Sequence, residues 1–299
     1  MWIVVTLVAV VFQTARTSMQ QKLRAQLSIT AAGFVRYFYG APLAVGAVAV
    51  AVVGFGQHLH APPRTFWVTI TGAGVAQIIG TVALITAFDR RDFAVGTVYA
   101  KTEVLQVTVF SAIVLHEPLA WLGWVGAAVC MVGVAWLAVA RPPESVAKSS
   151  LTKVDAALGY GLLAGAGFAL ASVWIRASSK SLGDAPAVFR ALVTLAAMNT
   201  IQLVVNGTQM LVTNADDVRA VVRTWRSSAV VGVLSVIGSA AWALAVTLQN
   251  AAKVRTLGQV ELLLTFAISH RFLGERHGRR EFLASALVVV GVGLVLALG

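Results

Sequence analysis

An all-α integral membrane protein, with ten transmembrane helices arranged as two inverted five-helix repeats, is the fold class this sequence predicts. Three observations predict it. Of 299 residues, 58% are hydrophobic and only 12% are charged, and mean hydropathy is +0.83, whereas soluble domains average about 25% charged residues. Apolar stretches, eight of them free of Asp, Glu, Lys and Arg over 15 or more residues, follow one another along the chain. The second half of the chain also repeats the first.

Span 1 is the charge-free stretch Met1 to Ala15, and spans 2 and 3 follow as Tyr37 to Pro63 and Thr65 to Phe88. Span 4, Phe93 to Leu115, carries Lys101 and Glu103, and span 5 is Pro118 to Ala140. Spans 6, 7 and 8 are Ala156 to Ile175, Ala191 to Ala215 and Ser227 to Ala252. Span 9, Ala252 to Leu273, holds Lys253, Arg255 and Glu261, and span 10 is Phe282 to Gly299. Most of these reach the roughly 20 residues a helix needs to cross about 30 Å of hydrocarbon. Ten spans leave no room for a sizeable extramembrane domain, which excludes catalysis on one. No basic segment precedes span 1, so a cleaved signal peptide is not expected. A single cysteine, Cys130, rules out a disulfide framework within the chain. The net charge of +11 would suggest nucleic acid in a soluble chain, but here most cations sit in short loops where they set orientation, and no nucleic-acid partner is expected.

A shift of 158 residues aligns Ile78 to Ala140 with Val236 to Leu298 without a gap. Gly80 meets Gly238, Ala83 meets Ala241, Glu103 meets Glu261, Ser111 meets Ser269, and Glu117 meets Glu275. Upstream, Arg16 falls beside Arg176 and Arg36 beside Arg190. The expected division is a first repeat at 1–140, a cytoplasmic linker at 141–153 and a second repeat at 154–299. Five spans per repeat is an odd number, so the second repeat enters the membrane inverted, the arrangement that lets a central site open to either side by alternating access. The loops after spans 1, 3, 5, 7 and 9 hold fourteen cations against at most four on the other side. That places the odd loops in the cytoplasm and both termini outside it, in a multi-pass protein of the cell membrane.

Ionisable groups inside a bilayer are functional candidates because each is costly unless paired or hydrated. Glu103 and Glu261, as repeat equivalents, are expected at comparable depths beside a shared cavity, where they could exchange a proton or bind a substrate amine. The competing reading of each is a structural ion pair with Lys101 or a nearby arginine, and Lys101 is close enough to serve Glu103 within the same span. Arg36 and Arg190, beside apolar spans with few carboxylates, could attract an anionic group through bidentate hydrogen bonds, or could anchor at the interface. Arg16 and Arg176 read as side chains snorkelling to the interface from span ends. Gln13 and Thr17 share a helix face in span 1. Gln77, Tyr99, Gln106, Trp242 and Gln259 are further polar candidates for the cavity. Glycines such as Gly80, Gly159, Gly167, Gly232 and Gly238 read as close-packing positions. The histidines lack metal-ligand spacing beyond His58-Leu59-His60, so no metal site is expected. No Walker A motif is present, so a gradient or substrate exchange should drive transport, with no cofactor.

Lys101-Thr-Glu-Val-Leu-Gln, continuing to His116-Glu117-Pro118 and Gly133-Val134, resembles the span 4 and 5 signature of the drug/metabolite transporter superfamily, EamA-type branch. Gly258-Gln-Val-Glu-Leu-Leu, then Gly274-Glu275-Arg276 and Gly291-Val292, resembles the same signature in the second half. The first copy has His116 where that pattern shows glycine. Many relatives keep both termini in the cytoplasm, the reverse of what the loop charges imply here. The resemblance implies a secondary transporter, with export the expected direction. The arginines favour a small amphipathic metabolite with an anionic group, such as an amino acid or organic acid. One alternative is a sugar-phosphate or lipid-carrier translocator. A second is a membrane-embedded enzyme or a non-transporting partner subunit, against which stands the absence of any His, Asp or Ser set repeated across spans. With both halves already fused, a monomer in the lipid bilayer is expected to function.

Overall fold

The computed structural model describes residues 1–23, 26–58, 60–90, 100–139, 151–263 and 279–299, and within them every regular element is an α-helix. In chain order these are α1 (Trp2–Leu23), α2 (Ile29–Phe55), α3 (Arg64–Arg90), α4 (Glu103–Val114), α5 (Trp121–Val139), α6 (Leu151–Ser181), α7 (Ala187–Thr213), α8 (Ala215–Arg223), α9 (Trp225–Leu248), α10 (Ala251–Leu257) and α11 (Arg279–Leu298). Six of them, α1, α2, α3, α6, α7 and α9, are long and apolar enough to cross a membrane, and α4, α5 and α11 are shorter apolar helices. Expected span 9 is described only to residue 263 and holds the short α10 and a further helical turn, so ten crossing helices are not all present among the described residues.

Helix α8 corrects the sequence reading, which left its residues in a charged loop. Asp216 and Asp217 lie in its first turn and Arg223 in its last, each at the end of the helix dipole that favours its charge. Val218 and Val221 turn inward while Val222 and Arg223 turn out.

By its contacts the chain divides into two compact units, Met1–Gly74 with Trp174–Leu248, and Val75–Val173 with Gln249–Gly299. Each draws on both halves of the sequence; two of the three boundaries fall within α3 and α6, and the third at the end of α9. In the first unit α1 packs on α9, α2 packs on α7 and α9, and α8 sits on α2 and α7. Phe34, Val35, Met210, Val221 and Val231 form the core where these helices meet. Ser28 caps α2 by accepting from the Ala31 amide at 3.1 Å, and its hydroxyl donates to Asp217 Oδ2 at 2.5 Å, tying α8 to the start of α2.

In the second unit α5 packs along α11, and α4 contacts α5 and α10. Between helices in lipid, close packing replaces the hydrophobic effect as the source of stability, so small residues matter. A Cβ added at Gly167 would stand 2.6 Å from the Ala76 carbonyl oxygen and 2.8 Å from Gly80. This is the close crossing the glycine pattern predicts. Gly159 departs from that pattern, with nothing among the described residues within 4 Å of an added Cβ.

Helix α4 ends in a turn in which the Glu117 amide reaches back to the Ser111 carbonyl at 3.1 Å. His116 forms that turn with φ of +56°, the only non-glycine residue at positive φ among those described. This is where the family pattern has glycine and where the second repeat has Gly274, and the backbone supplies the reason, because a Cβ costs about 1–2 kcal/mol in that region. We expect His116→Gly to stabilise the protein by about 0.5–1 kcal/mol, the relief of strain less the added freedom of the unfolded chain. Denaturation in detergent measures it, and a lowered midpoint would contradict the strain assignment.

Candidate functional site

Four ionisable residues of expected spans 4 and 9, Lys101, Glu103, Arg255 and Glu261, meet in the second unit, at two interruptions of helical structure. Residues 100–101 are helical, Thr102 forms a turn, and α4 then starts at Glu103. On the other side α10 stops at Leu257, a turn covers 258–259, and helical structure resumes at 260–263 with Glu261. The two breaks adjoin the repeat-related glutamates.

Arg255 donates from Nε to Glu103 Oε1 and pairs with the same oxygen through a terminal nitrogen. Lys101 Nζ stands 4.0 Å from Glu261 Oε2. Each carboxylate of one half of the sequence is thus held by a cation of the other half, and the four charges cancel. The pairs differ in tightness. The side chains of Glu103 and Arg255 are 6% and 18% exposed and directly hydrogen-bonded, whereas those of Lys101 and Glu261 are 19% and 20% exposed and in looser contact. Of the two pairs, Lys101–Glu261 is therefore the looser contact.

Of the two ion-pair partners the sequence offers Glu103, Lys101 or a nearby arginine, the structure uses the arginine. Residues two apart on a helix do not face each other, so the partner of Glu103 comes from α10. Arg255 was not among the site residues expected from sequence. Its signal is a cation six residues before Glu261 inside the otherwise apolar expected span 9.

Two predicted glutamines flank these charges. Gln106 donates at 3.2 Å to Thr102 Oγ1 and at 3.2 Å to the Leu162 carbonyl, and its own Oε1 is buried without a hydrogen-bond donor among the described residues. A Cβ added at Gly165 would stand 2.9 Å from the Ala100 carbonyl oxygen and 3.0 Å from both Thr102 Oγ1 and Gln106 Oε1, so α6 can approach the first break only with a glycine there. Gln259, the repeat equivalent of Lys101, is 3% exposed. It donates to the Arg255 carbonyl at 3.2 Å, and its Oε1 has no donor among the described residues. Asn250 caps α10 by accepting from Ala252 N at 2.7 Å and donates to the Glu117 carbonyl at 2.8 Å, which fixes α10 against the turn after α4. Gln77 lies half-buried in the part of α3 that belongs to this unit. Tyr99 and the Gly274-Glu275-Arg276 motif lie outside the described residues.

The other candidates belong to the first unit. Trp242 Nε1 donates to Gln13 Oε1 at 2.8 Å, joining α9 to α1. Thr17 is exposed and its hydroxyl donates to the Gln13 carbonyl at 2.8 Å, within its own helix. Arg36 is half-buried, with its guanidinium 5.5 Å from the Tyr37 ring centroid. Arg190 donates to the Gly183 carbonyl at 3.0 Å, bracing the turn before α7. Arg176 departs from the expected snorkelling: it donates to the Val246 and Thr247 carbonyls at 2.7 and 3.3 Å, closing the end of α9 where carbonyls lack helical partners.

The model of the EamA-like transporter family matches residues 1–139 and 155–297. No curated protein matches the chain. A solved crystal structure, described only as that of a protein, aligns with a TM-score of 0.73 over 98% of this chain and 95% of that chain, at 13% sequence identity, a likeness of fold.

Proposed function

The chain belongs to the EamA-like transporter family, and from that premise we propose that it is a secondary active transporter moving a small amphipathic metabolite with an anionic group by alternating access, in the direction of export. The observation that carries this reading is the crossed pairing of Lys101 with Glu261 and of Arg255 with Glu103. A substrate anion competes with Glu261 for the Lys101 ammonium, and the released carboxylate takes a proton or the substrate's amine. The tighter Arg255–Glu103 pair holds the two helix breaks in register meanwhile. An amino acid or related zwitterion satisfies both groups at once, and the absence of a Walker A motif leaves a gradient or exchange as the driving force. On the loop charges, both termini lie outside the cytoplasm of the cell membrane, and a monomer suffices.

The test compares metabolites inside and outside cells making the wild type with cells making Glu261→Gln at equal membrane abundance. One compound class is expected to change compartment with the wild type, and the variant should slow that change by about tenfold or more, equivalent to about 1.4 kcal/mol in the barrier. Equal rates would make Glu261 structural. No shift of any compound with the wild type would overturn the transporter reading.

A further inference from the structure

We propose that the outer face of α8 and the first turn of α9 form a binding surface for the headgroups of anionic phospholipids, with Arg223 and Arg226 as the phosphate ligands and Trp225 between them as the interfacial anchor. The inner face of α8 is committed to the protein, since Val221 is fully buried and its carbonyl accepts from the Tyr39 hydroxyl at 3.2 Å. Its acidic residues are committed as well. Asp216 pairs with Arg219 at 2.8 Å, and Asp217 accepts from Ser28 at the start of α2. Arg223 and Arg226 are exposed, and among the described residues neither has a carboxylate within ion-pairing distance.

Next to them in the chain are two exposed apolar side chains, Val222 at 50% and Trp225 at 57%. The Arg226 guanidinium lies 5.5 Å from the Trp225 ring centroid. A helix seated by one face on the protein, ending in an exposed valine and arginine and followed at once by an exposed tryptophan and arginine, is suited to the depth where acyl chains meet phosphates. The uncommitted charge is purely positive and each arginine offers a fork that fits a phosphodiester, so the complementary lipid is anionic. This surface is independent of the charges around Glu261.

The experiment measures tryptophan fluorescence of the full chain in mixed micelles with brominated phosphatidylglycerol or brominated phosphatidylcholine. The chain has eight tryptophans, so subtracting the Trp225→Phe variant isolates Trp225. The expected result is half-quenching at about tenfold less phosphatidylglycerol than phosphatidylcholine. That preference should vanish in the Arg223→Gln/Arg226→Gln double variant, fall partly in Arg226→Lys and persist in Lys22→Gln, a control for diffuse attraction by an exposed cation of the same unit. Equal quenching by both lipids, a preference that survives the double variant, or one lost equally in Lys22→Gln would overturn the proposal. Loss of the preference on adding millimolar glycerol phosphate would also overturn it, in favour of a soluble anion.

Discussion

Replacing Arg255 with leucine is expected to lower the unfolding free energy by about 3–5 kcal/mol, because it strands the Glu103 carboxylate in the interior without its counter-charge. The Glu103 side chain is only 6% exposed and Arg255 is its ion-pair partner among the described residues. The double variant Glu103→Leu/Arg255→Leu should recover most of that loss, since two apolar side chains in place of a buried pair leave no charge to solvate. Unfolding in detergent over the four-member cycle gives the coupling directly. Additive effects of the two single substitutions would show that the residues do not act as a pair. The same cycle applied to Lys101 and Glu261 should return a much smaller coupling, because that pair is looser and more hydrated. In the transport cycle proposed above, the pair with little stability to lose is the one a substrate would open at each turnover.

Gly291→Ala should cost about 3 kcal/mol, the upper part of the usual range for forcing an extra group into a packed interior. An added Cβ would stand 2.6 Å from Cys130 Cα and 2.7 Å from Cys130 Cβ, and would overlap the Cys130 nitrogen. Backbone atoms cannot swing aside, so α5 and α11 would have to separate. Cys130→Gly should therefore fail to rescue the variant. The internal control is Gly293→Ala on the same helix, where nothing among the described residues lies within 4 Å of the added carbon. There the gain in helix propensity should stabilise by about 0.5–1 kcal/mol. A thermal-shift series in detergent separates the two positions, and similar shifts at both would remove close backbone approach as the reason for Gly291. The repeat alignment had already paired Gly133 with Gly291, and a Cβ at Gly133 would stand 2.7 Å from Val288 N.

The two positions also mark how far the sequence can be read. Gly133 and Gly291 were legible as repeat equivalents because a close helix crossing tolerates only the smallest residue, and that demand is written at the position itself. Glu103 and Glu261 were legible for a similar reason, since an isolated charge stands out against an apolar run. Their partners were not. Lys101 precedes Glu103 by two residues and invited a local pairing, and only the crossing of the two interrupted segments brings Arg255 to Glu103 and Lys101 to Glu261. Helix α8 went unread because its nine residues yield no long apolar run, and its stability comes from seating Val218 and Val221 on neighbouring helices.

By itself, then, the sequence determined the membrane class, the order of apolar spans, the duplication and the family, since these depend on composition and periodicity that each segment carries alone. Tertiary structure alone decided which charges neutralise which, that Arg176 closes the end of α9, where helical geometry is interrupted, and that the compact units mix segments from both repeats. Those outcomes depend on residues far apart in the chain meeting in space. Coulomb attraction and hydrogen bonding fall off within a few ångströms, so the partner of a charge is chosen by packing and not by its place in the sequence.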